Sequence, residues 1–275
     1  MMFGPTILVD TLTKGTKKGE HIWQYHSRSD SHSKVACWTV LFDLLRECDI
    51  FRRHAAEGKI GFAVNHILAG KLPKALDLVI CRVPTTRGAG ERRNFADLAE
   101  LYGVQLDARS KVALAALPML EEERRDDVSQ VLIALESKAC MTEHSKSMPR
   151  LFAEILATGY LAKRSTDNPI SACYCFVNAA DSFVTPSSAE KVNRHQQPRD
   201  AKTVVDMIGN AIPTVDEFAF GYDAVGIVVV KCKNDGTPVT LVNEFPAPGT
   251  HDPHNYERMV RALCSKYGSR FGNTL

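Results

Sequence analysis

Glu136, Ser137 and Lys138 close an apolar run over residues 131–135 and stand just ahead of an amphipathic stretch that extends to Leu156. In an extended chain residues i and i+2 share a face, so a carboxylate and an ammonium project side by side from a strand end. Such a pair is expensive to bury unless it has partners or a metal. With a second carboxylate it supplies what phosphodiester hydrolysis needs: hard oxygen ligands for a divalent cation and a fixed positive charge near the attacking water. Asp77, inside the apolar run of residues 76–83, is the preferred second carboxylate, with Asp107 and Asp127 as alternatives.

Acid-x-Lys spacing alone says little, because it recurs at Glu57-Gly58-Lys59 and at Asp200-Ala201-Lys202. The first of these flanks a glycine at a helix end. The second suits a helix start, where an acid complements the macrodipole. Only Glu136 and Lys138 combine an apolar strand before them with a long amphipathic segment after them. The surface alternative, a solvated ion pair at a strand end, adds little to stability.

The elements that must position these groups follow from periodicity. Residues 34–56 carry Trp38, Leu41, Phe42, Leu45 and Cys48 at helical spacing. Residues 76–83, between Pro73 and Pro84, read as a buried strand. Residues 91–102 read as a helix that Gly103 stops, and residues 111–120 as either a helix or the first arm of a hairpin. Residues 141–159 predict a helix whose stripe is Met148, Leu151, Phe152, Ile155 and Leu156, with Thr142 as cap and Gly159 as stop. Residues 170–177 read as a strand, 182–199 as a polar loop, 201–212 as a helix and 255–271 as another. Residues 225–231 and 239–242 read as a hairpin around Asn234-Asp235-Gly236-Thr237.

Strands interleaved with helices predict one α/β domain over residues 1–275. Residues 1–33 are expected to be an N-terminal arm or loop, 34–180 the catalytic core, and 181–275 additional sheet, recognition or dimerisation elements. The formal net charge of +2 neither demands nor excludes nucleic acid, since binding depends on clustering. No apolar run reaches the length of a membrane span, and no basic-then-apolar leader opens the chain, which predicts a cytoplasmic protein. The eight cysteines form no C-x-x-C pair and read as reduced, buried small residues. Cys140 and His144, four apart, offer a thiol-hydrolase alternative with no orienting acid in view. As a packing residue, His144 would need only a hydrogen bond.

Asp77 in a strand, then Glu136-Ser137-Lys138 at a strand end, then the run ESKACMTEHSKSMPRLFAEI, resembles the PD-(D/E)xK nuclease superfamily, and among it the type II restriction endonucleases. The resemblance covers residues 74–180 and departs from the pattern where Leu76 replaces proline ahead of Asp77. It implies a restriction-endonuclease-like core, a central mixed β-sheet flanked by helices. It further implies a Mg²⁺-dependent, site-specific endonuclease acting on double-stranded DNA, with Asp77, Glu136 and Lys138 catalytic. Asp77, Glu136 and the Ser137 backbone carbonyl are the expected metal ligands. Glu47 is either an additional acid near the metal or a solvated helix residue. Lys146, Arg150, Arg194 and Arg199 are candidate DNA contacts. The clusters Lys14/Lys17/Lys18, Arg87/Arg92/Arg93 and Arg194/Arg199/Lys202 are either further DNA contacts or a solvated face. Cutting both strands implies a homodimer, and a restriction role implies a companion methyltransferase at the same site. A repair or structure-selective nuclease of the same superfamily, or a DNA-binding module without cleavage, fits the same core.

Overall fold

In the computed structural model the described residues are 2–18, 21–68, 73–186, 191–210 and 221–275. The chain runs α1 (Gly4–Lys14), β1 (Thr16–Lys18), β2 (His21–Trp23), α2 (Ser31–Glu47), α3 (Asp49–Ala56), β3 (Ile60–Leu68), β4 (Lys74–Arg82), α4 (Phe95–Leu101) and α5 (Ala108–Ala115). It continues through β5 (Val131–Cys140), α6 (His144–Lys163), β6 (Ile170–Asn178), β7 (Ser182–Val184), β8 (Val192–Arg194), α7 (Arg199–Asn210), β9 (Ala224–Lys231), β10 (Thr240–Val242) and α8 (Tyr256–Phe271).

The central sheet has six strands in the order β10-β9-β6-β5-β4-β3. β3, β4 and β5 form an antiparallel meander; β6 joins β5 in parallel, β9 joins β6 in parallel, and β10 closes the edge antiparallel to β9. Helices cover both faces, so the central strands are apolar throughout rather than alternating with polar residues. Along β6, Ala172, Tyr174 and Phe176 enter the core beneath α1, α2 and α8, while Cys173, Cys175 and Val177 enter the core beneath α6 and α7. Among the described residues no helix is long and apolar enough to cross a membrane.

Within the segment 1–33, expected as an arm or loop, residues 4–14 form a packed helix and Thr16–Lys18 pairs with His21–Trp23. α1 buries Ile7, Leu8, Val9 and Leu12, starts with a proline in its first turn and ends at Gly15, whose φ of 67° is the left-handed conformation glycine favours. The polar composition of residues 14–33 masks this short apolar helix. Asp43 of α2 then ties α1 in place: its carboxylate accepts from the N–H groups of Phe3 (2.9 Å) and Gly4 (2.7 Å) and from the Tyr256 hydroxyl (3.0 Å). Burial pushes the Asp43 carboxyl up, and these bonds reverse that only in part. A Cβ on Gly4 would lie 2.0 Å from the Tyr256 oxygen, so only glycine allows this approach.

Other expectations need adjustment. The helix beginning near Lys34 breaks at Cys48 into α2 and α3, and β3, which sequence periodicity does not reveal, forms the edge of the meander. The helix expected over 91–102 is only α4, capped by Asn94, and the ambiguous segment is helical as α5. α6 starts at His144 after Glu143, without a Thr142 side-chain cap, and passes through Gly159 to Lys163. Gly159 serves packing instead: a Cβ there would meet the Gly221 backbone at 3.2 Å. Of the α6 stripe, Leu151 and Ile155 are buried while Phe152 and Leu156 stay partly exposed.

The polar loop expected after Ser182 contains the β7–β8 hairpin, pinned by fully buried Phe183. α7 is described to Asn210, and the remainder of the helix expected to reach 212 lies outside the described residues. β9 and β10 form the expected hairpin, but with a longer connection than a tight Asp-Gly turn. Lys231 pairs with Thr240, and Asn234 uses its side chain to accept from the Gln24 and Tyr25 N–H groups. Not all cysteines are reduced: Cys48, at the α2–α3 break, is joined to Cys264 of α8, with Cα atoms 5.5 Å apart, whereas the other six are free and buried. Sequence could not find this pair because 216 residues separate its members.

Candidate active site

The chemistry expected of Asp77, Glu136 and Lys138 depends on β4 and β5 meeting in the right register, and they do. The recorded pairing ends at Leu78↔Leu135, and Asp77 and Glu136 lie one residue beyond it. There the two strands exchange side-chain hydrogen bonds in place of backbone ones. The Ser137 N–H donates to Asp77 Oδ2 at 2.9 Å, and the Asp77 N–H makes a long contact to Glu136 Oε2 at 3.4 Å. On the other side of Asp77 the β3–β4 ladder also skips a residue: Val64↔Leu78 and His66↔Leu76 pair, and Asn65 between them is left-handed at φ 52°. A non-glycine residue in that region costs energy and is held by its surroundings.

Three lysines converge on the two acids. Lys34, in the first turn of α2, donates to Asp77 Oδ1 at 2.8 Å with its side chain only 3% exposed, and Ser33 Oγ donates to the same oxygen at 2.8 Å. Lys138 donates to Glu136 Oε1 at 2.7 Å, Lys74 approaches that oxygen at 3.4 Å, and Lys138 also lies 3.5 Å from Glu154 of α6. Asp77, Glu136 and Glu154 thus face Lys34, Lys74, Lys138 and Arg150, a cluster of three acids and four cations. Burial alone would lower the Lys138 pKa, but Glu136, through charge and hydrogen bond, and Glu154 overcome it and raise it above the ordinary lysine value. Lys138 is therefore an ammonium, suited to orienting a water or holding a phosphate oxygen and not to accepting a proton. Glu154, which burial would push up, is held below the usual carboxylate range by Arg150 and Lys138.

Lys34 and Ser33 are the functional candidates that sequence reasoning missed. A signal was present: Lys34 falls in register with Trp38, Leu41 and Leu45 on the buried face of α2. A lysine in such a stripe must have an anionic partner.

The remaining candidates separate by place. Glu47 ends α2, thirteen residues and about 20 Å along the helix from Lys34, and pairs with Arg46 at 2.5 Å, so it stands apart from the acids. Asp107 caps α5 through the Ser110 N–H (2.7 Å), and Asp127 pairs with Arg92 at 3.1 Å, which leaves Asp77 as the carboxylate beside Glu136. Lys146 and Arg150 line a cleft next to Lys138, paired with Glu143 and Glu154. Arg194 on β8 and Arg199 at the start of α7 are exposed and do not line it. Arg87, Arg92 and Arg93 are consumed by Glu121, Glu122, Glu123 and Asp127. The Cys140 thiol is pushed up to about 12 by burial, and His144 spends Nε2 on the Asn178 carbonyl at 2.7 Å, so neither is set up for the other.

Among the described residues no three His, Cys, Asp or Glu side chains converge as a ready metal cage. The side-chain donors brought together are the Asp77 and Glu136 carboxylates, whose oxygens are now taken up by Lys34, Ser33, Lys138 and backbone N–H groups, and the expected third ligand is the Ser137 backbone carbonyl. That composition fits Mg²⁺, which keeps several waters and takes only one or two carboxylates. A divalent cation arriving here would add to the cluster's positive charge, which favours an anionic phosphate beside it. Comparison with protein-family models, with curated proteins and with solved structures found no match.

Proposed function

We propose that this chain is a Mg²⁺-dependent endonuclease that hydrolyses phosphodiester bonds of double-stranded DNA at specific sites, a PD-(D/E)xK enzyme on a restriction-endonuclease-like core. The observation that carries the reading is the meeting of Asp77, Glu136 and Lys138 at the split between β4 and β5. The order α2-α3-β3-β4-α4-α5-β5-α6-β6, an antiparallel meander with two short helices inserted before its third strand and then a parallel strand across a helix, supports it. Asp77, Glu136 and the Ser137 carbonyl would hold the metal, which when bound polarises the phosphate and lowers the pKa of a coordinated water.

The rest of the chemistry belongs to the chain's own groups. Lys138 keeps its proton, orients the attacking water and offsets charge building on the non-bridging oxygens. Lys34 and Ser33 hold the Asp77 carboxylate and Lys74 and Lys138 hold Glu136, contacts that a metal would partly displace on binding. Two copies, one for each strand, form the working unit, and a methyltransferase of the same sequence preference protects the host.

Unmethylated phage DNA incubated with the protein is expected to give discrete fragments on a gel with Mg²⁺ and to stay intact with EDTA. A Mg²⁺-dependent smear would replace the site-specific reading with a repair or structure-selective nuclease. Intact DNA in both lanes, with retained DNA binding, would leave a binding module.

A further inference from the structure

One polar group beside the acids has no partner. Ser137 is 5% exposed, its N–H serves Asp77, and its hydroxyl makes no hydrogen bond. A buried hydroxyl without a partner is destabilising, and such groups are uncommon in folded proteins. Ser137 lines a cleft of about 470 Å³ that also includes Lys138. Ser27 and Arg28, from the segment leading into α2, and Ser33, in the first turn of α2, line it too. Arg28 is exposed and lines the cleft, and its backbone N–H donates to His26 Nδ1 at 3.1 Å. The acids in the lining, Glu143 and Glu154, are each already paired with a cation, Lys146 and Arg150.

We propose that this cleft seats one nucleotide of the cleaved strand next to the scissile phosphate, with the Ser137 hydroxyl and the Arg28 guanidinium holding its phosphodiester. The inference rests on the nuclease reading and specifies how that site takes its substrate. The volume falls within the range of small-ligand sites and admits one sugar-phosphate strand, not both strands of a duplex. The donors are those a phosphate oxygen accepts from, a hydroxyl and an arginine fork. Ser137 thereby has two uses: its carbonyl toward the metal and its side chain toward the neighbouring phosphate.

The test is anisotropy of a fluorescein-labelled 20-base-pair duplex and its single strand, in Ca²⁺ to suppress cutting, across a salt series. Arg28→Ala is expected to weaken binding roughly tenfold and to reduce the slope of log affinity against log salt by about one. Ser137→Ala is expected to weaken binding about threefold to tenfold with the slope unchanged. Its melting temperature should equal or exceed that of the wild type, because an unpaired buried hydroxyl is removed. Variants that bind with wild-type affinity and slope overturn the seat, and if the wild type still cuts, the nuclease reading survives that failure. A wild type that binds but never cuts with any divalent cation contradicts the nuclease reading, while weakened variants would still support the seat. A wild type that binds neither probe overturns both.

Discussion

Lys138→Ala is expected to lower the rate of DNA cleavage about 10²–10³-fold, the usual consequence of removing one preorganised charge from a transition state, about 2.7–4 kcal/mol. Duplex binding should change by no more than a few-fold, because affinity is spread over many phosphate contacts. The fold should survive, since Glu136 keeps Lys74 at 3.4 Å and the Lys138 side chain is at the edge of the cleft. Lys138→Arg should not restore activity. A planar fork does not reproduce a point charge that reaches Glu136 at 2.7 Å and Glu154 at 3.5 Å. Cleavage measured under single-turnover conditions checks this, and a wild-type rate in Lys138→Ala would move the reacting centre elsewhere.

Lys34→Met has the second large effect, on stability. Lys34 and Asp77 form a buried pair, with side chains 3% and 13% exposed. Removing one partner leaves the other charge uncompensated, which costs about 3–5 kcal/mol. Asp77 would retain the Ser33 hydroxyl and the Ser137 N–H, which temper the loss. The same substitution frees the Asp77 oxygen that Lys34 occupies, so a divalent cation should bind the variant more tightly. By mass action, tighter binding to the folded state is added stability. Chemical denaturation with and without Mg²⁺ therefore has a distinctive expected pattern: the variant starts lower than wild type and recovers more on adding the metal. Equal metal-induced shifts in both proteins would show that Asp77 is not where the cation binds.

The sheet strands that hold the site were legible because burial on both faces leaves continuous apolar runs. Residues 131–138 and 170–177 stand out for that reason, and both are strands, β5 and β6. Glu136 and Lys138 could be paired from period alone, since two residues along one strand fix their common face. Asp77 required knowledge that β4 pairs with β5 at a sequence separation of 59, and register of that kind is a tertiary property. β3 was lost because Asn65 and His66 interrupt its apolar pattern, and the interruption is the place where the ladder breaks beside Asp77. α1 was hidden by its polar flanks. Lys34 was hidden differently: its position in the α2 stripe was visible, but a lysine there reads as solvated until its anion is located.

Cleavage of one DNA by wild type and by Glu136→Gln, prepared identically and compared across a Mg²⁺ titration, tests the central claim most directly. Glu136→Gln keeps the size of a side chain that is nearly fully buried and removes the charge that Lys138 and Lys74 face. The account predicts fragments from the wild type that depend on Mg²⁺ and none from the variant at any concentration. The same fragments at the same rate from both would contradict it.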